Sequence, residues 1–251
     1  MITLEKQTIL VTGASRGIGA ATARTLLTSG ASVVGSYTRA PGELEHLLDE
    51  FGPARLDIQR CDLGEAGAAK LLWQKAMGFK GQLNGLVNNA GVMPETPLGC
   101  DDATWAEDWA RVMAVNVQAV ADMCRAAIQH FQGGEGGRIV SIASRAAFRG
   151  DGPSFMHYAA SKGAVVSLMR SIARAYAREG IYAFLIAPGW VKTDMAAVAY
   201  EPGNEWMLDE IPMGEAAPPD NIANMTAFLL SGLSDHATGA TFDINGASYV
   251  R

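Results

Sequence analysis

Short strand-like runs alternate with longer stretches of helical spacing along the whole chain. Residues 31–36, 54–61, 83–87, 138–142, 181–186 and 240–244 follow a first apolar run that begins at Ile9. Runs of this length, stopped by turn residues, read as strands of a sheet covered on both faces. Between them, residues 20–27, 43–51, 65–77 and 105–131, and a segment opening near Phe155, carry apolar side chains at helical spacing. The alternation predicts one α/β domain, a doubly wound parallel sheet of about seven strands with helices on both faces.

The first strand runs into Thr-Gly-Ala-Ser-Arg-Gly-Ile-Gly at 12–19 and then into alanine-rich helix formers. Gly13, Gly17 and Gly19 leave no side chain between backbone and ligand, so a pyrophosphate can reach the amides and the positive end of the helix. With Ser15, Arg16 and Ile18 between them, these glycines read as a dinucleotide cradle. The second strand ends in Tyr37, Thr38 and Arg39. A carboxylate at that place would accept from the ribose hydroxyls and repel a 2′-phosphate. None is present, and the guanidinium groups of Arg16 and Arg39 suit a 2′-phosphate. NADP(H) is therefore expected ahead of NAD(H).

Composition removes several alternatives. The 251 residues, 49% hydrophobic, are enough for one large core. The net charge of −6 comes without a basic cluster, which argues against a nucleic-acid surface. Cys61, Cys100 and Cys124 lack the spacing of a disulfide framework or a zinc site, and the four histidines share no ligand spacing. No apolar run reaches the roughly 20 residues of a membrane span, and the start of the chain carries no basic-then-apolar leader. A cytoplasmic protein without membrane contacts is expected.

Tyr158 and Lys162 lie four residues apart, which puts both on one face of a helix. An ammonium beside a phenol is expected to pull the phenol below its usual value of about 10, towards the range of a general acid/base. Ser144 follows strand 138–142, at the sheet end where open α/β folds bind ligands. His157 adjoins Tyr158, yet a neighbour on a helix points about 100° away, which sets it aside as the base.

Taken together, the glycine loop, Asn-Asn-Ala-Gly at 88–91, Asn116, Ser144, Tyr158, Lys162, Pro188-Gly189 and Asp243-Ile244-Asn245-Gly246 resemble the classical short-chain dehydrogenase/reductase family. The likeness covers nearly the whole chain and is nearest the 3-oxoacyl-[acyl-carrier-protein] reductase branch. One departure is the interval of fourteen between Ser144 and Tyr158, where the family more often has thirteen. The resemblance implies a Rossmann fold and hydride transfer between nicotinamide and a ketone or secondary alcohol. It implies Tyr158 as proton donor or acceptor, with Ser144 bonded to the substrate oxygen. Lys162 would act on Tyr158 and the ribose, and Asn116 would distort its helix and hold a water. Asp62 and Leu63 would meet adenine, although Asp62 also suits a helix cap. Asn89, Ala90 and Gly91 would flank the cofactor, and Pro188, Gly189, Val191 and Thr193 would touch the nicotinamide. The family also implies a homodimer or homotetramer packed through the long central helix.

Residues 194–212 are expected to form a lid. Met195, Tyr200, Trp206 and Met207, with Met93 and Phe148, are candidates for an apolar substrate pocket.

Overall fold

The computed structural model describes residues 2–201, 203–204 and 206–251, with the backbone alone at Met195 and Val198. Its strands are β1 (Thr8–Val11), β2 (Ser32–Tyr37), β3 (Leu56–Arg60), β4 (Gly85–Asn88), β5 (Gly137–Ile142), β6 (Ile181–Pro188) and β7 (Thr241–Ile244). They form one sheet in the order β3-β2-β1-β4-β5-β6-β7, and every pair is parallel. The expected doubly wound sheet is present. Its winding reverses between β1 and β4, which opens a crevice over their carboxyl ends.

Alternate side chains of each strand feed two separate cores. Val34, Leu10, Leu86, Ile139 and Ala183 stand side by side in register on one face. They pack against α3 (Ala68–Lys80), α5 (Ala119–Gln132) and α7 (Met156–Tyr176) through Leu72, Trp73, Met123, Phe131, Val165 and Met169. Their neighbours Ile9, Val11, Val33, Val87, Val140 and Phe184 face α1 (Gly17–Thr28), α2 (Glu43–Phe51) and α9 (Pro219–Leu230). Each fully buried Leu, Ile or Phe is worth about 1.5–3 kcal/mol, and most of these are wholly buried. The carboxyl ends of the central strands are thus fixed from both sides.

The segment expected as one helix over 105–131 is two. Asp101 caps α4 (Asp102–Met113) by accepting from the Ala103 and Thr104 amides at 3.0 and 2.9 Å. A π-helical turn at Ala114–Gln118, centred on Asn116, then separates α4 from α5. The helix expected to begin at 65 begins at Ala68 behind Gly67, so Asp62 is not its cap. Helix α9 went unassigned in the sequence, although Pro219 at its first turn, followed by the buried Ile222, Ala223, Thr226, Ala227 and Leu230, is a start signal. Short helices α6 (Ala146–Arg149) and α8 (Trp206–Asp209) border the crevice. No helix among the described residues is long and apolar enough to cross a membrane.

Candidate active site

A cavity of about 700 Å³ lies in the crevice. Gly13, Ser15, Arg16, Gly17, Ile18 and Gly19 line it, followed by Tyr37, Arg39, Asp62 and Leu63, then Asn89, Ala90 and Gly91, and at the far end Ser144, Tyr158, Lys162, Pro188, Gly189, Val191 and Thr193. All of the catalytic and cofactor-contact candidates from the sequence except Asn116 are therefore on one wall.

The glycine loop is held too closely for side chains. Gly13 has φ +64°, and a Cβ there would sit 2.9 Å from Ala90 Cα. A Cβ on Gly19 would sit 2.2 Å from the Gly13 carbonyl oxygen and 2.5 Å from Asn89 Nδ2. Asn89 Nδ2 donates to the carbonyls of Thr12 and Gly13, both at 2.9 Å, and Thr12 Oγ1 accepts from the amides of Asn89 and Ala90. Thr12 escaped the sequence reading, although it is the residue that joins β1 to the Asn-Asn-Ala-Gly turn. Gly19→Ala is expected to cost on the order of 1–3 kcal/mol of stability and to abolish detectable NADPH binding, read by denaturant unfolding and fluorescence titration.

At the end of the cavity beside β2 and β3, Asp62 lies on the wall with Arg111, which donates to its two oxygens at 3.0 and 3.1 Å. Burial works against its charge, but the Gly64 amide and Arg111 outweigh it and hold the carboxyl below its ordinary range. Arg16 Nη1 pairs with Asp194 at 2.9 Å, and both groups are well exposed. Arg39 and Thr38 face the cavity beside Tyr37.

The catalytic candidates converge at the other end. Ser144 is hydrogen-bonded to the Tyr158 phenol, so the extra residue in the loop is absorbed, with α6 and the following Gly150 taking up the slack. Ser141 is buried elsewhere, between Asn88 and Met169. Lys162 Nζ donates to the Ile142 carbonyl at 2.8 Å and stands 5.6 Å from the centre of the Tyr158 ring. The expectation of a lowered phenol is overturned. Burial pushes Tyr158 up to about 12; the Ser144 bond opposes this and the Asp151 carboxylate adds to it. Burial also lowers Lys162 to about 8. Burial is the leading cause at both groups, and Lys162 directs its ammonium at a backbone carbonyl.

Asn116 sits one layer behind the wall. Its Oδ1 accepts from Val92 N at 2.9 Å, and its Nδ2 donates to Val92 O at 2.9 Å and to Ser161 Oγ at 3.1 Å. It fixes the segment that follows Gly91 against α7. His157 is buried, with Nδ1 accepting from Tyr158 N and Nε2 bonded to Thr96 Oγ1 at 2.9 Å. Thr96 in turn donates to Asp108 at 2.7 Å. That chain anchors the start of α7 and keeps the imidazole away from the cavity.

The expected apolar pocket is not what the lid makes. Met93 does line the cavity, but Phe148 turns away and lies under Arg251, 4.1 Å from ring centre to guanidinium carbon. Tyr200 and Trp206 are 52% and 59% exposed, Met207 stays off the wall, and the Met195 side chain lies outside the described residues. Charge holds this end instead. Glu210, just after α8, accepts from Arg145 at 3.0 Å and from Arg149 at 2.8 Å. Arg145, Arg149, Asp151 and Trp190 on the wall were all missed in the sequence. Arginines around a helix of four residues carry no periodic signal. The tail, for its part, is tied down by Arg251 bonds to Asp243 and the Thr241 carbonyl.

A family model described as enoyl-(acyl carrier protein) reductase matches residues 13–247. The chain is 31% identical over 246 residues to the 3-oxoacyl-[acyl-carrier-protein] reductase of Escherichia coli, covering 98% of each. It belongs to the short-chain dehydrogenase/reductase family. Solved structures of the family superpose closely on it. A dehydrogenase/reductase from Sinorhizobium meliloti matches with a TM-score of 0.90 at 34% identity, over 99% of this chain and 97% of that one. A 3-oxoacyl (acyl-carrier-protein) reductase from Agrobacterium tumefaciens with NADP bound matches with a TM-score of 0.88 at 31% identity, over 98% and 95%. As a member of this short-chain family, the protein is an oxidoreductase.

Proposed function

We propose that this enzyme uses NADP(H) to interconvert a ketone and a secondary alcohol, with a 3-oxoacyl thioester among its candidate substrates. The observation that carries the reading is the meeting of Ser144, Tyr158 and Lys162 on one wall with the glycine cradle. The residues fit a dinucleotide: Gly13 and Gly19 have no room for a Cβ, and no carboxylate ends β2. When bound, the cofactor supplies or takes the hydride at the substrate carbon.

The protein's own groups handle the oxygen and its proton. Tyr158, with a pKa of about 12, stays protonated at neutral pH and is ready to donate to the carbonyl oxygen during reduction. Ser144 holds that oxygen beside the phenol. Lys162 keeps one N–H on Ile142 and has two left for the nicotinamide ribose hydroxyls. Asn116 shapes the π-helical turn and positions the segment that carries Gly91. After each reduction, Tyr158 regains its proton from solvent.

Arg16 and Arg39 are the groups proposed for the 2′-phosphate, which would draw Arg16 away from Asp194. The direct test follows loss of reduced-nicotinamide absorbance with NADPH and NADH against a panel of ketones that includes a 3-oxoacyl thioester. NADPH is expected to be preferred, and Arg39→Ala to raise its KM about tenfold while changing that for NADH less than threefold. An NADH preference in the unaltered enzyme would overturn the assignment.

A further inference from the structure

The substrate end of the cavity carries more positive charge than proton transfer requires. Arg145 immediately follows Ser144, and its amide donates to the Pro188 carbonyl at 2.9 Å, which fixes it at the strand end. Its side chain is 93% buried, yet only Nη2 has a partner, Glu210 at 3.0 Å. Nη1 is buried without an acceptor. A buried donor left in that state has lost its hydration without replacement, and the cost is greater when it is charged. Arg149 binds the second oxygen of the same carboxylate at 2.8 Å. Two guanidinium groups on the cavity wall therefore clasp one carboxylate, one oxygen each, and Arg145 Nη1 still lacks a partner.

The carboxylate they hold is carried by the segment after α8 and is partly exposed. Glu210 lies just beyond α8, its side chain is 30% exposed, and it is not part of the cavity wall. Asp151 also lines this end, on an exposed loop, with Oδ1 accepting from the Gly152 amide at 2.9 Å. Burial disfavours the charge of Arg145, and Arg149 adds to this, while Glu210 and Asp151 counter it. An acceptor that displaced the Glu210 carboxylate would take over its bonds to both guanidinium groups.

We propose that Arg145 and Arg149 form the receptor for a carboxylate on the substrate, and that Glu210 is its internal placeholder. The favoured substrates are then short oxo acids and the corresponding hydroxy acids. This rests on the ketone–alcohol reading above and names the class of compound that the site takes. Charge-assisted bonds from two guanidinium groups give selectivity against a neutral isostere. Glu210, being tethered, competes at a high effective concentration.

The test compares short 3-oxo acids with their methyl esters, as kcat/KM with NADPH and as dissociation constants from calorimetry on the NADPH complex. The unaltered enzyme is expected to favour the acid about tenfold or more in both readouts. Arg149→Gln, at a partly exposed position, should collapse that ratio about tenfold, and Glu210→Gln should raise it severalfold by removing the competitor. A ratio near one in the unaltered enzyme, or variants that shift acid and ester alike, would reduce the cluster to a lid latch and overturn the proposal. If neither compound turns over, the ketone–alcohol reading fails, and the ratio of dissociation constants still decides whether an acid is recognised.

Discussion

Tyr158→Phe is expected to lower kcat for ketone reduction about a thousandfold while leaving NADPH affinity within about twofold. General acid catalysis by a positioned group contributes about 10²–10⁴, and the phenol is the acidic group beside Ser144 on this wall. Phe keeps the ring in the same space, so the packing against Lys162 survives. The hydroxyl is lost from both substrate and transition state, and kcat and kcat/KM should therefore fall together. Single-turnover kinetics with preformed NADPH complex would check this. Activity within tenfold of the unaltered enzyme would remove Tyr158 from the proton path. A protein that binds NADPH normally but reduces no carbonyl in either form would instead be a sensor of the nicotinamide pool.

Much of the fold was legible because buried parallel strands announce themselves. Leu10, Val34, Leu86 and Ile139 each sit in an apolar run too short for a helix, and each run ends at a turn. Boundaries were harder. The π-helical turn at Ala114–Gln118 leaves the apolar spacing of 105–131 nearly unbroken, so one helix and two look alike in sequence. Helix α9 was passed over because its signal, Pro219 and then a modest apolar stripe, follows a lid with no periodicity.

The site divided along a similar line. Gly13, Gly19 and Asn89 were readable because close backbone approach admits few residue types, and the contacts of a Cβ at Gly19 show why. Tyr158 and Lys162 were readable as a pair on one helical face. Their proton affinities were not. Spacing alone suggested attraction, whereas the outcome depends on the depth of burial and on Ile142 taking the ammonium. The substrate end was the least legible part. Arg145, Arg149 and Glu210 are up to 65 residues apart and meet only through tertiary packing. The apolar side chains expected there, Phe148 and Trp206, found an arginine and solvent instead.

Lys162→Met is expected to abolish turnover and at the same time to stabilise the cofactor-free protein at pH 7. Lys162 is 6% exposed, with its one recorded bond to Ile142, and burial lowers it to about 8 from an ordinary 10.5. At about 1.36 kcal/mol per pH unit, holding the ammonium in that place costs at most about 3 kcal/mol. Losing the bond to Ile142 returns part of this, leaving a net gain of about 1–2 kcal/mol for Met. The sign of the pH dependence follows from linkage. Between pH 8 and 10.5 the unfolded chain binds the Lys162 proton and the folded one has released it, so stability rises with pH in that window. Below pH 8 the cost is fully present; above 10.5 it is gone. Denaturant unfolding of both proteins from pH 7 to 10.5 should therefore show the advantage of Met shrinking steadily as pH rises. The same ionisation should appear in the unaltered enzyme as a fall in kcat/KM for reduction above about pH 8, since that parameter reports groups of the free enzyme. A Met variant less stable at pH 7, with a gap that does not change with pH, would mean that the ammonium is well solvated or paired in the folded protein. Its role would then be packing, and the cost of keeping a buried cation beside Tyr158 would not be part of how this site works.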